Sequence, residues 1–437
     1  MAHRHRLEPG NWQSVFLRLE ELVLANSGED EFQEVFKLLV AKLYQESFEP
    51  DTPLRTANSA STVSRVEEIL GRANRKWPQI LTDGVSSKLS PDHLKVCVDT
   101  LDDLSLRDTS FEVMDALFEY LISRSAKGAK GQYFTPRHVV EAIVRMVAPS
   151  QGETVCDPAC GSSGFLVHAM QFAAQDLTAA ERSQYREQNI WGFDIDQRAV
   201  QVARALMLIA GDGDSNLYRL NSLLTPSAGQ DSLVQDRIGD SGVVTIEDLT
   251  RAAMKGWKGF DCIVTNPPFA GEVREPELLS SYELARPVGK RNERDVLFIE
   301  RCVQLLRPGG RLGIVLPHNK VGASQFGFVR EWFARHMRIV AVLSLGRNTF
   351  QPHTSQKAEV VFAIKREKPV GLDRIADERV LLLTSERDGK DTKGNVVQRT
   401  DAPASSDLWS RADHDLGEAV EAFTRFLRED QIEWGQR

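Results

Sequence analysis

Apolar residues recur every three to four positions through the first 125 residues. In EFQEVFKLLVAKLYQESF, Phe32, Val35, Phe36, Leu39 and Leu43 share one face of a 3.6-residue helix, and WQSVFLRLEELVLA, STVSRVEEILGRA and SFEVMDALFEYLISR repeat the pattern. No strand pattern interrupts them, which predicts an N-terminal all-α domain over residues 1–125. The Gly/Lys-rich SAKGAKGQ (125–132) reads as a hinge. Beyond it the periodicity changes. TVCD (154–157), IWGFDID (190–196), FDCIVTN (260–266), RLGIVLP (311–317) and RIVAVLSL (338–345) are short apolar runs suited to buried parallel strands, with amphipathic helical segments between them. That alternation predicts a doubly wound α/β sheet over residues 126–366. AEVVFAIK (358–365) reads as the last strand, and a polar, mixed-charge stretch follows to Asp407. In the C-terminal extension, residues 367–437, Leu416, Val420, Phe423 and Leu427 line one helical face. That helix either packs on the domain or docks a partner, and packing is the simpler expectation.

With 437 residues, 41% hydrophobic and 27% charged, the chain can bury more than one core. No run approaches the roughly 20 apolar residues that span a bilayer, and MAHRHRLEPG lacks the apolar centre of a signal peptide, so a soluble protein of the cytoplasm, without a membrane partner, is expected. Five scattered cysteines do not make a disulfide framework, and Cys156 and Cys160 have no further ligands nearby, so reduced thiols and no metal are expected. A formal charge of −8 argues against clamping nucleic acid by overall charge. Residues 286–338 run the other way, with eleven Lys/Arg against four Asp/Glu, a net of +7. This is either a nucleic-acid patch or a solvated helix face.

In TVCDPACGSSGFLVHAM a strand ends at Asp157, a turn carries Gly161 and Gly164, and a helix opens near Phe165. Backbone amides in such a turn approach a ligand closely, and the helix start favours negative charge. The spacing matches neither GxGxxG nor a phosphate-binding P-loop, and alone it could be a plain strand-to-helix turn. GFDID adds Asp194 and Asp196 at the next strand end, where a carboxylate can accept both hydroxyls of a ribose. Asp194 is preferred, since Asp196 is positioned to cap the helix that follows. RLNSLL places Asn221 at a third strand end, as an adenine contact or as a turn residue. Upstream, Tyr133 and Phe134 precede a helix for which Thr135 is the expected N-cap and Pro136 the first residue.

TNPPF (265–269) is the sharpest feature. Two prolines cannot continue a sheet ladder, so Asn266 is held stiffly at the carboxyl edge of the sheet, where ligands of such folds bind. Its amide oxygen and the Pro267 carbonyl are two acceptors for one NH2 group, which leaves the nitrogen lone pair pointing outward. Phe269 can stack on a planar ring. A strand terminator followed by a core phenylalanine is the blander alternative.

Taken together, TNPPF, DPACGSSGFL, YFTP, GFDID and NTFQPHTSQKAEVVF resemble the N6-adenine DNA methylases, and in particular the methylation subunit of type I restriction-modification systems. The resemblance runs from about residue 131 to 365. It implies an S-adenosylmethionine-dependent, Rossmann-like methyltransferase. Tyr133, Phe134 and Thr135 would lie against the methionine part of the cofactor, Asp157, Ala159, Gly161, Ser163 and Gly164 would form its loop, Asp194 would hold the ribose and Asn221 the adenine. Asn266, Pro267, Pro268 and Phe269 would bind a flipped target adenine, with Phe350 stacked on its other face. Relatives commonly read GSGG or GTGG in the cofactor loop, so Ser163 is a departure, and so is Asn221, where an acidic residue is usual. The implied partners are DNA, a specificity subunit, a second copy of the chain and a restriction nuclease subunit. Only about 70 residues follow the last predicted strand, too few for a domain that reads several base pairs, so sequence choice is expected from another polypeptide. The rival readings are a methyltransferase for glutamine amides in proteins, which more often carries Tyr at the position of Phe269, and a non-catalytic S-adenosylmethionine-binding scaffold of a defence complex.

Overall fold

A computed structural model describes residues 5–8, 11–27, 30–125, 134–211, 216–226, 245–287, 290–401 and 408–435. The chain forms two compact units, Met1–Gly128 with Gln201–Asp214, and Ala129–Val200 with Ser215–Arg437.

The first unit is built on the helices Trp12–Ser27, Glu31–Phe48, Ser59–Lys76, Pro91–Asp102 and Phe111–Ser125. Asp30, Asn58 and Ser90 cap three of these helices by accepting from the amides of Gln33, Ser61 and His93. Glu31–Phe48 touches the other four and is buried on every side. Its apolar stripe is therefore wider than the period suggests, because Leu38, Val40 and Ala41 are buried as fully as Val35 and Phe36. Lys42 is enclosed as well, between Glu46 at 3.2 Å and Asp102 at 3.5 Å, which supply the countercharge its burial requires. The unit is not purely helical. Strand β1 (His5–Arg6) pairs in parallel with β2 (Leu104–Ser105), a two-residue match too short to carry any alternation in sequence. The helix Gln197–Gly211 contributes its later turns here, where Gln201 donates to Ile80 O at 3.2 Å and Arg204 to Gln79 O at 2.7 Å.

The second unit holds β3 (Val155–Asp157), β4 (Ile190–Asp194), β5 (Asn216–Arg219), β6 (Phe260–Thr265), β7 (Leu306–Pro317), β8 (Met337–Ser344), β9 (Ala358–Lys365) and β10 (Leu381–Thr384) in one sheet of order β10-β8-β9-β7-β6-β3-β4-β5. All neighbours run parallel except those of β9, which lies antiparallel between β7 and β8. The chain moves outward from β3 through β4 to β5, then returns to place β6 on the other side of β3. The carboxyl ends of β3 and β6 thus meet at the switch point where such sheets bind ligands. Residues 345–357 join β8 to β9 without a crossover helix, as antiparallel neighbours allow, and they leave β8 at this same edge. Eight strands, seven in one direction, match the expected fold class. The sheet nonetheless extends past residue 366, since Leu381–Thr384 pairs with Ala341–Ser344.

Arg311 of β7 is fully buried and fixes the foot of this unit. It donates to both carboxylate oxygens of Glu153, at 2.8 and 2.6 Å, and to the carbonyls of Val147 and Ala148. The C-terminal helix Leu416–Glu429 packs against the helix Arg137–Val147 and β10. Phe423 meets Phe362 of β9 at 5.5 Å between ring centroids, and the Trp434 indole donates to Met146 O at 2.7 Å. Of the residues expected on its apolar face, Leu416 and Phe423 are buried. The packing alternative is the one adopted. All five cysteines are free and buried; among the described residues there is neither a cluster of three or more metal-binding side chains nor a helix long and apolar enough to cross a membrane.

Candidate active site

At the carboxyl end of β3, Asp157 is 1% exposed and accepts the Ala159 amide at 3.0 Å, which closes the start of the glycine turn. Burial, reinforced by the charge of Asp194, pushes its carboxyl up to about 7. The turn continues through Gly161 at φ 50° and Ser163 at φ 71°, and the helix Gly164–Ala173 follows. Nothing stands within 4 Å of the place a Cβ on Gly161 would occupy, so the turn has open space in front of it. Ser163 adopts the left-handed conformation that a glycine would take without strain, and its Oγ is buried beside the Cys160 thiol, a weak partner. Gly164 has a different cause: the Arg137 guanidinium fills the space where a side chain would stand.

At the end of β4, the two carboxylate oxygens of Asp194 accept the amides of Gly161, at 3.0 Å, and Asp196, at 2.8 Å. Burial raises this carboxyl to about 6 despite those two donors, and the Asp196 charge adds to the rise. Asp196 accepts from Arg198 and Ala199 and so caps the next helix, leaving Asp194 as the acceptor beside the turn. Each oxygen of a carboxylate has two lone pairs, so Asp194 can take two hydroxyl donors as well. Asn221 lies at the same edge, one residue past Leu220, whose amide donates to Asp194 O at 2.8 Å. Its Oδ1 accepts the Leu223 amide at 3.2 Å, the geometry of a turn residue. An open glycine turn, a braced carboxylate and a buried hydroxyl fit the ribose and amino-acid parts of S-adenosylmethionine.

β6 ends at Thr265, and Asn266 follows with Pro267 buried behind it. The Asn266 Nδ2 donates to Thr135 Oγ1 at 2.9 Å. Thr135 is thus not the N-cap that the sequence suggests. Pro136 takes that position, its carbonyl accepting from Val139 and Val140, and the helix begins at Arg137. Thr135 stands one residue before the cap, and its hydroxyl serves the loop after β6 instead. Phe134 is half-buried just before it, and Tyr133 lies outside the described residues.

Phe269 is half-buried, and its ring meets Phe350 at 5.9 Å and 68°. The rings touch edge to face, and Phe350 is only 1% exposed. A base sandwiched between parallel rings needs a gap that is not present here. Phe350 therefore backs Phe269 rather than facing it across the pocket.

Four of the eleven cations in the basic run are paired with acids. Arg301 makes two bonds to Glu247, Arg311 pairs with Glu153, Arg307 with Asp261, and Lys320 with Glu293 and Asp295. Three of those acids lie outside the 286–338 window, so a local count overstated the surface charge. Sequence reasoning also missed Arg137, whose guanidinium stands against the glycine turn, and the bond between Thr135 and Asn266. YFTP signals Thr135 but not its distant partner.

The family described as N-6 DNA Methylase matches residues 109–434. The chain is 27% identical over 260 residues to the type I restriction enzyme EcoKI methylase subunit of Escherichia coli K12, covering 57% of this chain and 45% of that protein. It is 22% identical over 342 residues to the type II restriction enzyme and methyltransferase RM.BcgI of Heyndrickxia coagulans, covering 76% and 47%. The chain thus spans about half the length of these relatives. In fold it is similar to the type I restriction-modification methyltransferase subunit of Streptococcus thermophilus, with a TM-score of 0.56, 15% identity, and coverage of 95% and 93%. With its family model matched across three quarters of its length, the chain belongs to the N-6 DNA methylase family.

Proposed function

We propose that this chain transfers a methyl group to the exocyclic amine of adenine in DNA, as the methylation subunit of a type I-like assembly in the cytoplasm. The observation that carries the reading is the bond from Asn266 to Thr135. An amide anchored at its nitrogen end has its oxygen end fixed, and that oxygen, with the Pro267 carbonyl, receives the two N–H groups of an amine. The lone pair then points away from both acceptors. S-adenosylmethionine, when bound, supplies the electrophilic methyl group on a sulfonium. Asp194 would accept the ribose hydroxyls, Asp157 and Ser163 would hold the loop, and Arg137 would face the carboxylate of the amino-acid end.

An adenine inside a duplex cannot reach this edge, so the base must leave the stack, at a cost of a few kcal/mol. Stacking on Phe269, about 1–3 kcal/mol, offsets part of that cost. Sequence choice is assigned to a specificity subunit, with a second copy of this chain and a nuclease subunit as further partners. The formal charge of −8 supports this division, since it argues against a chain that holds DNA by its overall charge.

The test is an assay with tritiated S-adenosylmethionine, offering DNA with the specificity subunit, DNA alone, and cell protein. Label in DNA only with the partner present is expected. Label in protein would favour the glutamine-amide reading, and binding without transfer the scaffold reading.

A further inference from the structure

The loop that follows β8, residues 345–357, is held from below by a segment far along the chain. One carboxylate oxygen of Asp388 accepts the Asn348 amide at 3.1 Å, and the other accepts the Thr349 hydroxyl at 3.1 Å. The same carboxylate fills the space a side chain at Gly346 would need, so a larger residue there would displace it. Two residues on, the Lys390 ammonium donates to Gln351 O at 3.0 Å. Lys390 and Val396 bridge across a turn in which Asp391 accepts from Lys393 and Asn395, so the supporting segment is itself a closed hairpin.

Asp388 also reaches the other wall of the site. Its backbone carbonyl lies 2.9 Å from His138 Nε2. A carbonyl can only accept, so this nitrogen carries the proton. His138 stands in the first turn of the helix preceded by Thr135, the residue that holds Asn266. One residue thus touches both the loop that sets Phe350 behind Phe269 and the helix start that sets Asn266.

We propose that Asp388 is a positioning residue for the target-base pocket, and that the C-terminal hairpin around it is part of the active-site scaffold. This rests on the adenine-methyltransferase reading above. Asp388 touches neither Asn266 nor Phe269 directly. It acts by fixing Thr349 and Phe350 on one side and His138 on the other, so that an extruded base meets a preformed wall.

The test uses the full chain with its specificity subunit, and three variants: Asp388→Ala, Asp388→Asn and Thr349→Val. Thr349→Val removes one hydrogen bond without emptying the position, so it keeps the question open should Asp388→Ala fold poorly. The readouts are methyl transfer, S-adenosylmethionine affinity, the fluorescence of 2-aminopurine at the target position, and amide exchange of residues 346–354 in the chain alone. Thr349→Val is expected to lower transfer about tenfold and the 2-aminopurine signal with it, with cofactor affinity within twofold. Asp388→Asn keeps one acceptor and should fall between Thr349→Val and Asp388→Ala. Loop exchange should quicken about tenfold in Asp388→Ala. Transfer and base extrusion within twofold of the parent in Thr349→Val and Asp388→Asn would overturn the proposal alone. A parent complex inactive on DNA would overturn the reading on which it rests.

Discussion

Asn266 and Thr135, 131 residues apart, are joined by a single hydrogen bond of 2.9 Å from the amide nitrogen to the hydroxyl oxygen. The bond decides which end of the amide faces the site. Replacing Thr135 by Val keeps the volume and removes the acceptor. A hydrogen bond of this kind is worth about 0.5–1.5 kcal/mol, so methyl transfer should slow about three- to tenfold. Single-turnover kinetics on the assembled complex measures the rate, and calorimetry the cofactor affinity. A loss confined to cofactor affinity would mean that Thr135 serves the cofactor instead.

Ser163 carries backbone strain that a glycine would not. At φ 71° a side chain costs about 1–2 kcal/mol. Glycine in the unfolded chain recovers part of that difference. Ser163→Gly should raise the thermal midpoint of the second unit by about 1–3 °C. Cofactor affinity should stay within threefold, since the loop would then match the GSGG of its relatives. A lower midpoint in scanning calorimetry would contradict the strain argument.

Cofactor binding should depend on pH through Asp194 and Asp157. Both carboxyls are raised by burial, to about 6 and about 7. Alone, each stabilises the fold fully below the ordinary carboxylate range and loses that contribution as pH rises through its folded value. A ligand whose hydroxyls donate to Asp194 favours the ionised form. Binding must then release protons, and affinity should fall about tenfold for each pH unit below about 6. Calorimetry in buffers of different ionisation enthalpy counts those protons. Asp194→Asn should weaken binding and flatten the slope, whereas an unchanged slope would exclude Asp194 as its source.

The sheet was legible in the sequence because its strands are short, apolar and separated by helical periods. AEVVFAIK coincides with β9, and TVCD, IWGFDID and FDCIVTN fall on β3, β4 and β6. Leu381–Thr384 has an apolar signal of its own, VLLLT (380–384), but the run is short and stands alone in a mixed-charge stretch, so its place as an edge strand was not legible. Asn266 and Asp194 were legible from the chemistry of strand ends. Thr135 was read as a helix cap, a task that Pro136 takes in the structure, because a capping residue and a hydrogen-bond anchor look alike before the helix start is known. Arg301 and Arg311 read as surface charge, although their partners Glu247 and Glu153 lie 54 and 158 residues away. Pairing across such distances leaves no local pattern. Asp388 is invisible for the same reason: its meaning comes from Asn348, Thr349 and His138, which the fold brings to it.

The central claim is that the Asn266 amide holds an adenine amine at the switch point of the sheet. Its most direct measurement is N6-methyladenine formed in DNA by the complex carrying Asn266→Ala, with S-adenosylmethionine affinity recorded alongside. Loss of a preorganised acceptor costs on the order of a hundredfold in rate, so methylation should fall at least that far while the cofactor still binds within twofold. Methylation within twofold of the parent complex, with the cofactor bound as before, would contradict the account.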